Sequence, residues 1–381
     1  MDLHLSDEQR MIRESARQIA ERELLPRAKD ADREGRFPLE QMRALGANGF
    51  LAMLAPAAYG GTEVGAVAYS LAMTEIARCC ASTSVTMAVT NMVADAICAW
   101  GDEAQKQRYV PRLASGALVA GSFALSEPGS GSDAASLKAV AEKKGDRYLL
   151  RGTKCWITSG DRAGLLLVMA KTDVAAGARG ISCFLVEPSM KGFSVGNREH
   201  KMGLRASSTV TINLDDVEVP EENRLGPEGV GFKVAMRALD GGRIGIGSQS
   251  VGIHQACLEA ATRYAQDRAQ FGRPIAEFQA VQWKLADLAT TLDAARLLVL
   301  RAAWLKDHGA PFAREASMAK LFASESANQA ALEAIQIHGG YGYIDEFPVE
   351  RYLRDVRVTT IYEGTSEIQR LVIARQILSE K

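Results

Sequence analysis

The sequence predicts a multidomain α+β protein. It divides into an N-terminal helical domain over residues 1–118, a middle β-barrel or sandwich over 119–227 and a C-terminal four-helix bundle over 228–381. Three observations predict this. Apolar residues recur at helical spacing in the first and last thirds of the chain. Between about 120 and 225, short apolar runs alternate with Gly, Pro and Asp, the pattern of strands and turns. Leu285, Leu288, Leu292, Ala295, Val299 and Ala302 advance in steps of 3 and 4, as the seam of a bundle helix does.

In chain order, Ser6 and Gln9 form a capping box ahead of an amphipathic stretch that runs to Leu25, with Pro26 near its end. The stretch 39–54 is broken by Gly46 and Gly49, and Pro56 with Gly60 and Gly61 marks a loop. Helical runs follow at 66–78 and 84–100. The second is rich in small residues (Ala88, Ala94, Ala96), which favours close helix packing. In the middle region, 165–169 and 181–186 read as buried strands. Residues 209–219 alternate, with a shift at Asp215 and Asp216. After the seam, Gly309 and Pro311 break the chain before a helical run to about His338.

Composition excludes several classes. The chain has 381 residues, 47% of them hydrophobic, so it can bury large cores. A net charge of −1 gives no field of one sign to attract nucleic acid or an acidic membrane. Cys79, Cys80, Cys98, Cys155, Cys183 and Cys257 contain no CxxC pair, and the histidines show no HExxH spacing. Neither a disulfide framework nor a structural metal is expected. MDLHLSDEQR has neither the apolar core of a secretory signal nor the Arg-rich, acid-poor composition of a transit peptide, and no run of about 18 apolar residues occurs. The expected setting is a bacterial-type cytoplasm without a membrane span. The glycines at 226–231 and 241–247 do not follow a strand and open a βαβ unit, so a nicotinamide-binding Rossmann fold has little support.

Five segments carry candidate chemistry. Residues 124–133 (ALSEPGSGSD) place hydroxyls and open backbone in one loop. They suit a polar planar or anionic ligand, and equally an ordinary surface turn. Residues 154–160 (KCWITSG) put a tryptophan at a strand end, either over a ring system or in a core. Residues 267–274 (DRAQFGRP) hold two arginines, whose forked guanidinium groups match pyrophosphate or line a solvated turn. Residues 336–342 (QIHGGYG) end a helix with glycines that admit close approach or simply cap it. Residues 360–367 (TIYEGTSE) set Glu363 after β-branched and aromatic neighbours. An apolar setting raises a carboxyl pKa towards that of a base working near neutrality; a solvated loop Glu is the plainer alternative.

Taken together and in this order, the segments closely resemble the acyl-CoA dehydrogenase family, from DEQRMIRESAR to EIQRLVIARQIL. LSEPGSGSD (125–133) and QIHGGYGYIDEFPVERYLRD (336–355) look like its signature patterns. The resemblance implies FAD as cofactor. Phe123, Leu125, Ser126 and Ser132 would hold its isoalloxazine and pyrophosphate region, and Trp156, Ile157 and Thr158 would cover the flavin. Arg268, Phe271 and Gln279 would bind the pyrophosphate and adenosine. Gln336, Gly339 and Gly340 would do so from a neighbouring subunit, and Thr365 and Glu367 would complete the site. Ser132, Asp240, Arg243 and Gly364 would contact acyl-CoA, with Glu363 as catalytic base. Some members carry the base on a helix just before an arginine; here Gly242 stands at that place, so only Glu363 can ionise.

The implied reaction is α,β-dehydrogenation of an acyl-CoA to the trans-2-enoyl-CoA. The Glu363 N–H and a ribityl hydroxyl would hold the thioester carbonyl, and electrons would pass to an electron-transferring flavoprotein. IYEGTSEIQR and DGGRIGIGSQ look most like short-chain, butyryl-CoA-type members. A branched or cyclic acyl group, another chemistry on the same fold, or a non-catalytic acyl-CoA- and flavin-binding protein are the other readings. The family is typically a homotetramer through its C-terminal bundle.

Overall fold

The computed structural model describes residues 4–379. Residues 1–3, part of the N-terminal stretch read for targeting signals, and residues 380–381 lie outside the described residues. Ser6 opens α1 (Asp7–Ile19): its hydroxyl accepts from the Gln9 N–H at 3.1 Å, and Gln9 Oε1 accepts from the Ser6 N–H at 3.0 Å. The helical segment does not end at Pro26. A π-helical turn over Ala20–Leu24 leads directly into α2 (Leu25–Glu34), placing Pro26 in a first turn, where its missing N–H does no harm. Gly46 does not break the chain either. It lies inside α3 (Leu39–Ala47), where a Cβ would stand 2.8 Å from the Ser115 carbonyl oxygen; the turn comes at Gly49. Helices α4 (Gly65–Cys79), α5 (Ala81–Trp100) and α6 (Glu103–Ala114) complete this part. α4 and α5 are buried along most of their length, as small residues allow.

The strands are β1 (Gly121–Ala124), β2 (Val140–Lys144), β3 (Arg147–Thr158), β4 (Leu165–Lys171), β5 (Ile181–Val186), β6 (Phe193–Arg198) and β7 (Thr209–Pro220). They form one curled sheet in the order β1-β4-β2-β3-β7-β6, with β5 added to β4. The continuous apolar runs of β4 and β5 are explained by burial on both faces. Leu165, Leu167, Met169, Cys183 and Leu185 pack on helices, while Leu166, Val168, Phe184 and Val186 fill the core of the sheet. The shift at Asp215 and Asp216 is a β-bulge. Leu150 pairs with Val217 and Gly152 with Leu214, so two residues of β7 oppose one of β3.

The C-terminal part holds α7 (Gly231–Asp267), a hairpin of β8 (Ala269–Gln270) and β9 (Arg273–Pro274), α8 (Gln279–Asp307), α9 (Ala313–His338), α10 (Val349–Val356) and α11 (Ser366–Ser379). The seam is as expected: Leu288, Leu292, Ala295, Val299 and Ala302 are buried and Leu285 packs at the edge of the core. Among the described residues, no helix is long and apolar enough to cross a membrane.

Candidate active site

The Glu363 loop follows a 3-10 turn and is held by three helices, α7, α9 and α11. After α10 the chain makes a 3-10 turn over Arg357–Thr360 and reaches Glu363 and Gly364 with φ of 55° and 87°. Glycine takes that conformation freely; Glu363 does not, and its neighbours hold it there. Gln369 of α11 folds back to donate to the Glu363 carbonyl at 3.0 Å and the Gly364 carbonyl at 2.9 Å. Lys320, buried on α9, donates to the same Gly364 carbonyl at 2.7 Å. Tyr362 donates to Gln249 Oε1 of α7, which fixes the residue just before the carboxylate.

The Glu363 side chain lies over a glycine of α7. A Cβ on Gly242 would stand 1.8 Å from Glu363 Oε1, so only glycine leaves room for the carboxylate. Glu363 Oε1 is buried and has no hydrogen-bond partner. Burial pushes its pKa up to about 7, although the cations of Arg243 and Lys320 pull it back down. Lys320 is itself held down to about 8 by burial, against the opposing charge of Glu363. Arg243 is buried and pairs with Asp240, and its Nε has no partner. Burial raises the Asp240 carboxyl against the pull of Arg243. An ionisable carboxylate poised near neutrality, unpaired and facing a glycine notch, is equipped to take a proton from a bound ligand.

The two middle-domain motifs are joined. The Cys155 N–H donates to the Ser126 carbonyl at 3.0 Å, and Ser122 Oγ to the Thr158 carbonyl at 2.7 Å. A buried ion pair stiffens the join. Lys154 Nζ reaches Glu127 at 2.8 Å and the Leu125 carbonyl at 3.1 Å, while Glu127 accepts from the Lys138 and Ala139 N–H groups. Outside this clamp the loop is open: a Cβ on Gly129 or Gly131 would meet no atom within 4 Å, and Ser132 is exposed. Trp156 has φ of 62° and is 64% exposed, so it is no core tryptophan. The side chains of Leu125 and Ile157 point into cores, and Phe123 packs half-buried on the helices.

A third group lies at the end of α7. Arg268 stands over the Tyr341 ring at 5.5 Å, and a cleft of about 490 Å³ is lined by Tyr264, Arg268, Gln270, Gly339, Gly340 and Tyr341, among others. Phe271 and Gly272 form the two-residue turn of the β8–β9 hairpin, both with positive φ, and Phe271 projects at 94% exposure. Gln279 starts α8 and Gln336 lies near the end of α9, both exposed. Arg268, Gly339 and Gly340 therefore line one cleft of one chain. At the start of α11, Thr365 Oγ1 accepts from the Ile368 N–H at 3.3 Å, and Glu367 is exposed, its carboxyl lowered by its own N–H and by Thr365.

Comparison with known proteins decides the family. Residues 6–117, 122–217 and 229–378 match the N-terminal, middle and C-terminal domains of acyl-CoA dehydrogenase, respectively. The chain belongs to the acyl-CoA dehydrogenase family. The mitochondrial short-chain specific acyl-CoA dehydrogenase of Mus musculus is 48% identical over 377 residues, 99% of this chain and 91% of that protein. The structure of butyryl-CoA dehydrogenase from Megasphaera elsdenii is similar at a TM-score of 0.97 and 40% identity, over 99% of this chain and 100% of that one. A chain of the structure described as the electron transferring flavoprotein of Acidaminococcus fermentans has a TM-score of 0.98 and 42% identity, over 100% of both chains.

As an acyl-CoA dehydrogenase family member the protein is an FAD-dependent oxidoreductase, and the residues present fit FAD. Open backbone at Gly129, Gly131, Gly339 and Gly340, an exposed indole and an exposed guanidinium suit a flavin and its pyrophosphate. Sequence reasoning missed Lys320, Gln369 and the Lys154–Glu127 pair. Lys320 had a signal: it falls on the apolar face of α9 between Ala316 and Ala323, where a solvated lysine has no place.

Proposed function

We propose that this protein is a short-chain acyl-CoA dehydrogenase that forms trans-2-enoyl-CoA and hands its electrons to an electron-transferring flavoprotein. The observation that carries the reading is Glu363 Oε1, buried and unpartnered against Gly242 on a half-buried residue whose pKa is pushed up to about 7. When bound, FAD supplies the acceptor for the β-hydride. Glu363 takes the α-proton, which then rests on its carboxylate. The Glu363 N–H, which no acceptor among the described residues engages, donates to the thioester carbonyl as negative charge develops there. Arg243 and Lys320 keep enough of Glu363 ionised to act as base at neutral pH. Ser132, Asp240, Arg243 and Gly364 face the acyl-CoA.

On this reading Phe123, Leu125, Ser126, Ser132, Trp156, Ile157 and Thr158 hold the flavin end, with Thr365 and Glu367 beside it. Arg268, Phe271, Gln279, Gln336, Gly339 and Gly340 hold the pyrophosphate and adenosine of a neighbouring copy's FAD. No middle-domain residue lines the Arg268 cleft, which supports this exchange within a homotetramer. The cytoplasm is the proposed location, and cell fractionation tests it. The functional test is anaerobic titration of the FAD-loaded protein with butyryl-CoA. Bleaching of the flavin with formation of crotonyl-CoA is expected. Failure of butyryl-CoA and of every other acyl-CoA to bleach it would remove the dehydrogenase reading.

A further inference from the structure

Depth in the acyl pocket is written along one face of α7. Gly242 and Gly245 lie one helical turn apart on the same side, about 4.5 Å along the axis. Glu363 fills the notch at Gly242. The notch at Gly245 is filled by Tyr69 of α4: a Cβ there would stand 2.6 Å from the Tyr69 hydroxyl and 3.7 Å from Ala88 Cβ of α5. Tyr69 is buried, and burial first, then the charges of Glu363 and Asp95, hold its hydroxyl protonated. The phenol therefore stands beside the base.

The closed end of the site is on the Tyr69 side. α7 is half-buried or exposed at Arg237, Leu239, Asp240 and Gly241, then buried without interruption over residues 242–254. Past Gly245 the helices meet directly. Ser70 Oγ and Ser248 Oγ are 2.8 Å apart, and a Cβ on Gly252 would stand 2.4 Å from the Thr74 carbonyl oxygen. An acyl chain therefore finds no passage between α4 and α7 beyond Tyr69.

We infer that Tyr69 is the floor of the acyl pocket and limits the substrate to short acyl groups of about four carbons, the length that one helical turn beyond the base admits. This rests on the dehydrogenase reading and deepens it. The α-carbon must lie at the Glu363 carboxylate, so a butyryl tail ends short of the phenol. A hexanoyl or octanoyl tail has to displace a buried ring packed in the core with Ala88 and against Gly245.

The test is the chain-length profile of kcat/KM for flavin reduction in the FAD-loaded protein, with butyryl-, hexanoyl- and octanoyl-CoA. Wild type should fall steeply beyond butyryl-CoA. Tyr69→Ala should raise the hexanoyl-to-butyryl ratio by about tenfold or more, whereas Tyr69→Phe, which keeps the ring, should keep the wild-type ratio. A ratio in Tyr69→Ala within about twofold of wild type would overturn the inference, as would a wild type that prefers octanoyl-CoA. If Tyr69→Ala gives no soluble holoenzyme, Gly245→Ala decides: its Cβ would stand 2.6 Å from the phenol oxygen, so the ring must shift and the hexanoyl-to-butyryl ratio should change by about tenfold, and an unchanged ratio overturns the inference. Wild type that no acyl-CoA reduces strikes the dehydrogenase reading itself. Wild type that turns over while the variants keep its ratios strikes Tyr69 alone.

Discussion

Gly242→Ala isolates the placement of the base from its identity. The added methyl would stand 1.8 Å from Glu363 Oε1 and 2.7 Å from its carboxyl carbon. Non-bonded atoms settle near 3.5 Å, so the carboxylate must retreat by about 1.5 Å. The backbone of Glu363 cannot follow, because Gln369 and Lys320 hold the carbonyls of residues 363 and 364. A misplacement of about 1 Å costs on the order of 100-fold in a positioned reaction. Flavin reduction by butyryl-CoA should therefore slow by about 100-fold or more, equivalent to about 2.7 kcal/mol in the barrier. Alanine is a better helix former than glycine by about 1 kcal/mol, which offsets part of the strain, so the fold should survive. The assay is stopped-flow bleaching of the flavin, with FAD content measured alongside. A variant that retains FAD and reduces it within about threefold of wild type would refute the claim that the carboxylate works from this notch.

Glu363→Gln should retain FAD and lose nearly all turnover. Its folded pKa of about 7 lies above the ordinary 4.5, so the native state favours the protonated form and wild-type stability falls as pH rises between these values. Thermal melts should therefore show Gln no more stable than Glu near pH 4 and more stable, by up to about 3 kcal/mol, above pH 7. In wild type the rate of flavin reduction should rise with pH through about 7, as the base ionises. Lys320→Met should move that acid limb to higher pH, since it removes a cation that lowers Glu363; a limb in the wild-type position would show that the charge is not felt. Lys154→Met should leave the Glu127 carboxylate buried without its cation and destabilise the holoenzyme by about 3–5 kcal/mol in urea unfolding, with FAD lost earlier than in wild type.

Where one short segment decides an element, the sequence was legible. The Ser6 box, the α8 seam, the break at Gly309, the end of α9 at His338 and the β7 bulge all follow from local pattern. Pro26 and Gly46 were misleading for opposite reasons. Pro26 is tolerated because a π turn brings it to a first turn, and Gly46 because a neighbouring backbone needs the space. Glu363 was found as a base candidate from its neighbours. The groups that set its position and charge come from distant parts of the chain: Lys320 of α9 and Tyr69 of α4 carry no local signal that joins them to it, and Gly242 and Arg243 of α7 are legible only as the alternative base position and as a substrate contact. Lys154 and Glu127 stood inside quoted motifs, yet nothing local pairs residues 27 positions apart.

α7 carries Gly241, Gly242, Gly245, Gly247 and Gly252, each less favourable in a helix than alanine by about 1 kcal/mol. Four of them account for that loss by contact. Glu363 enters at Gly242 and Tyr69 at Gly245, a Cβ at Gly247 would stand 2.9 Å from Val299 of α8, and one at Gly252 would meet the Thr74 carbonyl of α4. The same helix is therefore thinned on the side of the reaction and on the sides where its neighbours pack. Close packing of α4 and α8 against α7 closes the far end of the groove and leaves the base and the phenol in successive turns. Reactivity and chain-length limit are then each set by what one glycine lets in, Gly242 for the base and Gly245 for the phenol. A domain arrangement that buried α7 against bulkier residues would lose the base position and the pocket floor together.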